Sequence, residues 1–177
     1  MTAGWRIERL SKSHSGRYFS CGEETLDAYL TRFARQNDEA DVAKTFVVAE
    51  PDNPRQVVIG YYSISAGVIA AENLPAPAVK RLPRLRIPVA RLTRLAVDQA
   101  FQREGLGEHL LMDALRRVLR AAADSAMVAL VLDAESEKGK RFYARYGFDR
   151  LLDQPRMLWL PMAAIGRLFQ NARPARR

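Results

Sequence analysis

The stretch from Arg91 to Arg120 constrains this chain more than any other, because it joins a strand, a turn and a helix in that order. The strand-like run ends at Val97, and residues 98–102 turn the chain. From Leu106 onward apolar residues recur at three- and four-residue steps, which predicts a helix with one buried face. That face consists of Leu106, Leu110, Leu111, Ala114, Leu115, Val118 and Leu119. Strand, turn and helix in this order form an architecture that binds phosphate groups.

The turn carries two glycines, Gly105 and Gly107, where the helix begins. The first N–H groups of a helix have no partner within it, and the helix dipole favours an anion there. Glycine lets a phosphate approach the backbone closely, and Arg103 offers a charge-assisted contact. The spacing matches neither a Walker loop nor a complete G-x-G-x-x-G motif. From these residues alone, a phosphate site and a plain packing turn both remain open.

Length and composition are those of a globular protein. The chain has 177 residues, of which 48% are hydrophobic and 27% charged, so we expect one domain over residues 1–170 and a basic tail over residues 171–177. No apolar run is long enough to span a membrane, and the N-terminus lacks a signal-peptide core. The single Cys21 cannot form an internal disulfide, which fits a reducing cytoplasm. His14 and His109 stand apart from any ligand cluster, so no metal site is predicted.

The formal net charge is +8, from 28 basic and 20 acidic residues. The excess is concentrated in an acid-free segment and in the C-terminal tail. The segment contains Lys80, Arg81, Arg84, Arg86, Arg91 and Arg94, and the tail contains Arg167, Arg173, Arg176 and Arg177. Such clusters suit a nucleic-acid partner, because they neutralise phosphates. Solubility, or affinity for a polyanionic cofactor, explains them as well.

The remaining elements alternate between strands and helices. A capping box at Ser20 and Glu23 predicts a helix that ends near Asn37, with Leu26, Tyr29, Leu30 and Phe33 on its buried face. Strands are expected within residues 1–10 and over 45–49, 56–65, 92–97, 127–133 and 157–160, with another from Phe148; those over 45–49 and 56–65 should be antiparallel neighbours. Residues 74–88 should form a proline-rich loop with one short helical turn. Helices are expected over residues 137–146 and within 161–169.

Three segments together carry a resemblance to a known family. Gln102-x-x-Gly105-x-Gly107 resembles the Q/R-x-x-G-x-G/A signature of the GCN5-related N-acetyltransferases (GNAT), which are acyl-coenzyme A enzymes. Residues 94–97 look like their fourth strand, and residues 142–148 resemble their FYxxxGF segment. The resemblance implies an α/β (α+β) GNAT fold. It has a mixed central sheet of six to seven strands, flanked by about four helices, with splayed fourth and fifth strands.

The same resemblance implies the cofactor, acetyl-CoA, and the residues that hold it. The pyrophosphate would lie on Gln102, Arg103, Glu104, Gly105, Leu106, Gly107 and Glu108. The pantetheine arm would lie along Leu95, Ala96 and Val97, with the Val97 N–H as the best candidate for the oxyanion donor. Tyr143 is implied as the catalytic acid, because a phenol is protonated at neutral pH and can donate to a departing thiolate. Tyr146 is the next candidate, and a core position for one of these aromatic residues is the alternative.

No clear general base is present. Asp98, Asp133 and Glu135 follow strands that lead to the proposed site, and each fits a surface or capping carboxylate better. An α-amine, with a pKa of roughly 7.7–8.0, needs no strong base, whereas a lysine amine with a pKa near about 10.4 would need one. The absence of a base therefore favours an α-amine substrate.

A wider pattern covers nearly the whole chain. The opening Cys21-Gly22-Glu23-Glu24-Thr25-Leu26-Asp27-Ala28-Tyr29-Leu30 and the segments 60–67 and 87–98 resemble the acetyltransferase toxins of bacterial type II toxin–antitoxin pairs. One departure from that pattern is Ala90-Arg91, where a more hydrophobic start of the strand is expected.

This resemblance implies a toxin that acetylates the α-amino group of aminoacyl-tRNA and so blocks translation. It also implies a ribbon-helix-helix antitoxin, a homodimer and a cytoplasmic location, with no membrane contact. The expected tRNA contacts are Arg81, Arg84, Arg86, Arg91 and Arg94. Two alternatives stay open: an acetyltransferase acting on a small-molecule or protein amine, and an acyl-CoA-binding module without turnover.

Overall fold

Seven strands form one mixed sheet. The computed structural model describes residues 4–80, 82, 86–152 and 154–171. The strands are β1 (Ile7–Arg9), β2 (Lys44–Ala49), β3 (Val58–Ala70), β4 (Arg86–Val97), β5 (Ala129–Asp133), β6 (Asp149–Leu151) and β7 (Gln154–Pro161), in the sheet order β1-β2-β3-β4-β5-β7-β6. Strands β4 and β5 run parallel, whereas β1–β2, β2–β3, β5–β7 and β6–β7 are antiparallel. The mixed sheet predicted from the sequence is confirmed.

Six α-helices accompany these strands in the described part of the chain. They are α1 (Glu24–Ala28), α2 (Ala34–Glu39), α3 (Ala76–Val79), α4 (Leu106–Ala122), α5 (Glu137–Ala144) and α6 (Met162–Gln170). A π-helical turn over Tyr29–Phe33 joins α1 to α2. None of the helices described is long and apolar enough to cross a membrane.

The chain groups into two compact units, each with its own core. The first takes in the described residues up to Ser65 together with Thr93–Ala114, and the second takes in Ala66–Leu92 and the described residues from Leu115 onward. The first core contains Phe19, Tyr29, Leu30, Ala34, Val47, Val58, Tyr61 and Ala96. The second contains Ile69, Ala71, Leu74, Ile87, Val89, Ala129, Val131, Leu151 and Trp159. A single domain over residues 1–170 stays a prediction.

Helix α4 follows its predicted pattern closely. Leu106, Leu110, Leu111, Ala114, Leu115 and Val118 are all buried. Within the first unit the helix packs tightly on β3, because a Cβ built on Gly60 would lie 3.0 Å from Leu110 Cδ1 and 3.1 Å from Leu106 Cδ2. Glycine at this position therefore lets the start of α4 lie directly on the sheet. The close contact fixes where the glycine turn before α4 can lie.

The first helix differs from its prediction in two ways. The capping box was wrong: the N-cap is Glu23, which makes no side-chain capping bond, and Ser20 lies outside the helix. The predicted burial of Phe33 was also wrong, because its side chain is 51% exposed, whereas that of Ala34 is fully buried. A π-helical turn contains an extra residue, so it rotates the positions that follow it around the helix axis. The 3.6-residue spacing used for the prediction cannot anticipate this rotation.

Strands β3 and β4 are longer than predicted. β4 begins at Arg86 rather than Leu92, and β3 continues to Ala70 rather than ending at Ser65. Within the second unit, the Arg91 side chain lies over Gly67, with its Nε 2.6 Å from where a Cβ on that glycine would stand. Cross-strand packing of this kind extends both strands, and it depends on residues far apart in sequence.

Candidate active site

The end of β4 presents backbone N–H groups on a defined edge. The Asp98 N–H donates to the Ile59 carbonyl of β3 over 2.8 Å. Because successive residues of a strand direct their N–H groups to opposite edges, the N–H groups of Val97 and Leu95 point away from β3. The parallel ladder with β5 covers Ala90–Leu92 and Leu130–Leu132, and β4 continues beyond it to Val97. This geometry is what a backbone donor at Val97 requires.

Asp98 holds the turn that follows β4. Its Oδ1 accepts a hydrogen bond from the Ala100 N–H, and its Oδ2 accepts one from the Ser20 N–H, each over 3.0 Å. Both carboxylate oxygens thus serve the backbone, as expected for a capping carboxylate. Asp133 and Glu135, the other carboxylates considered as bases, are exposed.

Gln102 has a role that its motif did not reveal. Its Nε2 donates to the Val97 carbonyl and to the Cys21 carbonyl, each over 2.9 Å. A side-chain amide has two N–H donors, so both are used inside the protein. Gln102 therefore ties the turn to the end of β4 and to the loop at Cys21. The side-chain N–H groups of Gln102 are therefore not available to the pyrophosphate. A contact from this residue would have to use its backbone, and the other contacts would come from the rest of the turn.

The glycine turn has the conformation that an anion site needs. Gly105 has a φ of +88°, and a Cβ built there would meet no atom within 4 Å. Glycine is thus required here by the backbone angle and not by crowding. The first helical bond of α4 runs from the His109 N–H to the Gly105 carbonyl over 3.1 Å, so the N–H groups of residues 106–108 have no acceptor within the helix. Arg103, Glu104 and Glu108 are exposed beside them.

Tyr143 lies on α5 in a cluster of four aromatic rings. Its ring makes edge contacts with Phe142, at 5.0 Å between centroids, and with Phe148, at 5.5 Å. Phe142 in turn contacts Tyr146 at 5.4 Å. The core position in this group belongs to Phe148, which is buried, while Tyr143 is half-buried. The contacts on both sides fix the Tyr143 ring without enclosing it.

The Cys21 thiol and the Tyr61 hydroxyl are two other groups that could take part in catalysis, and both have structural roles instead. Burial raises the pKa of the Cys21 thiol to about 12, and a hydrogen bond with Asp27 adds to the shift. That thiol is protonated at neutral pH, so it offers no thiolate nucleophile. Burial also raises the pKa of Tyr61, whose hydroxyl donates to the Leu26 carbonyl over 2.7 Å.

The arginines expected to contact tRNA lie in different surroundings. Arg81 and Arg84, like the tail beyond Asn171, lie outside the described residues. Arg86 is exposed at the start of β4. Arg91 lies over Gly67, as described above, and the Arg94 guanidinium lies 4.0 Å from the centre of the Tyr29 ring. At that distance the two groups form a close cation–π contact, so the Arg94 side chain packs against the Tyr29 ring.

No metal site is found among the residues that the structure describes. These residues contain no group of three or more His, Cys, Asp or Glu side chains that could hold a metal ion. His14 instead contacts Glu8, with 2.8 Å between Nε2 and Oε1, and His109 contacts the Trp5 carbonyl over 3.1 Å.

Comparison with known proteins places these features in a family. An Acetyltransferase (GNAT) domain model matches residues 43–150. The chain is 32% identical over 154 residues to a tRNA-acetylating toxin of Mycobacterium tuberculosis (strain ATCC 25618 / H37Rv), a match that covers 87% of this chain and 90% of that protein.

Solved structures of related proteins are also similar to this chain over nearly its whole length. AtaT complexed with acetyl-methionyl-tRNAfMet has a TM-score of 0.87 at 28% identity, covering 93% of this chain and 98% of that chain. A tyrosine-to-phenylalanine mutant of KacT has a TM-score of 0.88 at 29% identity, with the same coverage. AtaTR bound with AcCoA has a TM-score of 0.81 at 28% identity. An AtaT mutant toxin bound to the C-terminus of the antitoxin AtaR has a TM-score of 0.79 at 26% identity. These last two each cover 93% of this chain and 97% of that chain.

Proposed function

Because this chain belongs to the GNAT family of acetyltransferases, we propose that it transfers the acetyl group of acetyl-CoA to the α-amino group of an aminoacyl-tRNA. The product cannot be used as an elongating substrate, so the protein would act as the toxin of a bacterial toxin–antitoxin pair. One observation carries this proposal: the similarity to a tRNA-acetylating toxin, and to AtaT with an acetylated aminoacyl-tRNA, extends over nearly the whole chain.

The coenzyme fits the glycine turn and the edge of β4. The N–H groups of residues 106–108 and the exposed Arg103 suit a pyrophosphate, because unpaired helix N–H groups, the helix dipole and a guanidinium all attract an anion. The N–H groups of Leu95 and Val97 suit the amide-bearing pantetheine arm, which can pair with a strand edge. Support also comes from the solved structure of AtaTR with AcCoA.

Replacement of Gly105 tests the coenzyme assignment. We expect Gly105→Val to weaken acetyl-CoA binding about tenfold, because a β-branched residue at positive φ costs roughly 1–2 kcal/mol and the turn will rearrange to avoid that cost. Gly105→Asn should bind within about threefold of the wild type, since asparagine tolerates this conformation. Calorimetric titration with acetyl-CoA measures both affinities. Wild-type affinity in the valine variant would show that the turn does not hold the coenzyme.

The proposed chemistry needs two contributions from the chain. The Val97 N–H would donate to the thioester oxygen as negative charge develops there, an effect of about 2.7–4 kcal/mol for such a donor. As the new C–N bond forms and the C–S bond breaks, the Tyr143 hydroxyl would donate its proton to the leaving sulfur. The amine loses its proton to solvent, and solvent returns a proton to the Tyr143 phenolate.

None of the three described carboxylates considered as a general base is held in place for that role, and the proposed substrate needs no strong base. Asp98 is occupied by two backbone N–H groups, and Asp133 and Glu135 are exposed. An α-amine with a pKa of roughly 7.7–8.0 is partly neutral at pH 7, and the ester bond to tRNA lowers that pKa further. This supports an aminoacyl ester over a lysine side chain as the acceptor.

The partners proposed are a ribbon-helix-helix antitoxin, a second copy of this chain and the charged tRNA. The structure of AtaT mutant toxin with the C-terminus of AtaR supports an antitoxin partner of some kind. The proposed tRNA contacts are Arg81, Arg84, Arg86, Arg91 and Arg94. The guanidinium of Arg94 also packs on the Tyr29 ring. We place the protein in the cytoplasm, where charged tRNA and acetyl-CoA are available.

An acceptor comparison tests the function directly. The protein is incubated with labelled acetyl-CoA and, separately, with aminoacyl-tRNA, a lysine-containing peptide and a panel of small primary amines. We expect label on the tRNA-bound amino acid at a rate at least a hundredfold above that on the other acceptors. Faster transfer to a peptide or a small amine would favour the alternative acetyltransferase. Tight acetyl-CoA binding without any transfer would favour a binding module without turnover.

A further inference from the structure

Helix α5 and its C-cap residue Arg145, whose backbone is still helical, carry a row of three cations on their exposed face. Lys138, Arg141 and Arg145 stand at positions i, i+3 and i+7, which a helix places along one side. All three side chains are exposed, whereas Phe142 and Tyr143 between them are half-buried. With a rise of about 1.5 Å per residue the row is roughly 10 Å long. We call these three residues the α5 row.

The charges of the α5 row are not neutralised by the described part of the protein. The nearest acid in sequence is Glu137, whose Oε1 lies 3.3 Å from the Nζ of Lys140, a residue outside the row. No carboxylate among the described residues forms an ion pair with any member of the row. The row is thus a strip of three uncompensated positive charges.

Aromatic contacts hold one end of the row in place. The Arg145 guanidinium lies 5.4 Å from the centre of the Phe142 ring and 6.0 Å from that of the Tyr146 ring. A guanidinium packed on aromatic rings keeps its N–H donors for other partners and loses less entropy when it binds a phosphate. Phe142 also contacts the Tyr143 ring at 5.0 Å, so Arg145 and the proposed catalytic acid contact the same aromatic cluster.

We propose that the α5 row binds phosphates of the acceptor strand of the substrate tRNA; this assignment rests on the function proposed above. The amino acid is esterified to the terminal ribose, so the phosphates of the last nucleotides must lie close to the reacting amine, and therefore close to Tyr143. One strand of a nucleic-acid helix carries a charge about every 3.4 Å along its axis, so a row roughly 10 Å long spans about three phosphates. Arginine binds phosphate through paired hydrogen bonds, and lysine binds it as a point charge.

The test removes the charges of the row and compares two acceptors. The variant Lys138→Gln/Arg141→Gln/Arg145→Gln is assayed with aminoacyl-tRNA and with an amino-acid methyl ester, which has the same α-amine but no phosphate. We expect kcat/KM for aminoacyl-tRNA to fall at least tenfold and that for the ester to stay within about twofold. The slope of log Kd for tRNA against log salt should decrease by about 2 to 3, the value for three lost phosphate contacts.

The matched control removes three cations of the same kinds at positions outside the row. Arg6, Lys12 and Arg55 are exposed, and the variant Arg6→Gln/Lys12→Gln/Arg55→Gln loses one lysine and two arginines, as the row variant does. It should keep wild-type activity on both acceptors, which separates local contacts from the effect of net charge. The variant Arg141→Lys/Arg145→Lys keeps the charges and should retain most of the tRNA activity, even if the glutamine variant is less stable.

Any other result with the row variant and its control contradicts the proposal that the α5 row binds tRNA phosphates. An unchanged salt slope, or an equal loss in the control variant, would show that the row does not contact tRNA. A fall in acetyl-CoA affinity would assign the row to the coenzyme, and wild-type tRNA activity with lost antitoxin binding would assign it to a protein partner. If the wild type acetylates the ester but neither binds nor acetylates aminoacyl-tRNA, the proposed function itself fails and the row assignment fails with it.

Discussion

Replacement of Tyr143 by phenylalanine is expected to lower kcat at least a hundredfold, with acetyl-CoA affinity nearly unchanged. General acid catalysis contributes about 10²–10⁴-fold, and phenylalanine has no proton to donate to the leaving thiolate. The change removes one oxygen and keeps the ring, so the edge contacts with Phe142 and Phe148 should persist. Steady-state kinetics with aminoacyl-tRNA give kcat, and calorimetric titration gives the coenzyme affinity.

The neighbouring tyrosine provides the matched control. Tyr146 lies in the same aromatic cluster and contacts Phe142, so Tyr146→Phe removes an equivalent hydroxyl from the same helix end. We expect it to keep kcat within about threefold of the wild type. Equal activity in wild type and Tyr143→Phe would remove this tyrosine from the mechanism, and a larger loss in Tyr146→Phe would transfer the role to that residue. Growth arrest on induced expression should likewise be lost only in Tyr143→Phe.

Replacement of Gln102 by glutamate should destabilise the protein by about 2 to 4 kcal/mol. The change replaces an N–H₂ donor with a carboxylate oxygen beside the Val97 and Cys21 carbonyls, which accept from it at 2.9 Å. Two hydrogen bonds are lost, and an anion is left facing two carbonyl oxygens. For a chain of this length each kcal/mol lowers the Tm by roughly 2–4 °C, so a fall of about 5–15 °C is expected.

The Gln102 variant also has a functional prediction and its own control. Because Gln102 holds the carbonyl of Val97, the adjacent N–H of that residue should lose its alignment, and kcat should fall about tenfold under conditions where the protein remains folded. Gln99→Glu makes the same chemical change at an exposed position of the same turn and should cost less than about 1 kcal/mol. An unchanged Tm in Gln102→Glu would show that the two hydrogen bonds do not hold the turn.

Several elements around the proposed site were predictable because they depend on local patterns. The apolar stripe of α4 has the period of a helix, and six of its seven predicted members are buried, while Leu119 is half-buried. The need for glycine at Gly105 arises from the backbone angle of one turn, which the motif spacing already indicates. The buried run of β5 follows from its continuous apolar sequence.

Other features depend on contacts that no local pattern contains. Ser20 and Glu23 have the spacing of a capping box, yet the Ser20 N–H is bound by Asp98, which is distant in sequence. The π-helical turn exposes Phe33 because the extra residue rotates the helix, and the 3.6-residue period gives no sign of it. The acid-free basic segment includes Arg94, and only the structure shows that the Arg94 guanidinium packs on the Tyr29 ring.

The sequence by itself determined the glycine turn and the order of strand, turn and helix, since each depends on residues that are close along the chain. It also indicated the family, through several short motifs that can each be read locally. The tertiary structure decided that Gln102 holds the end of β4, because that role needs two carbonyls from separate segments. It also decided which cations reach solvent. The spacing of Lys138, Arg141 and Arg145 is visible in the sequence, but only the structure shows that all three side chains are exposed.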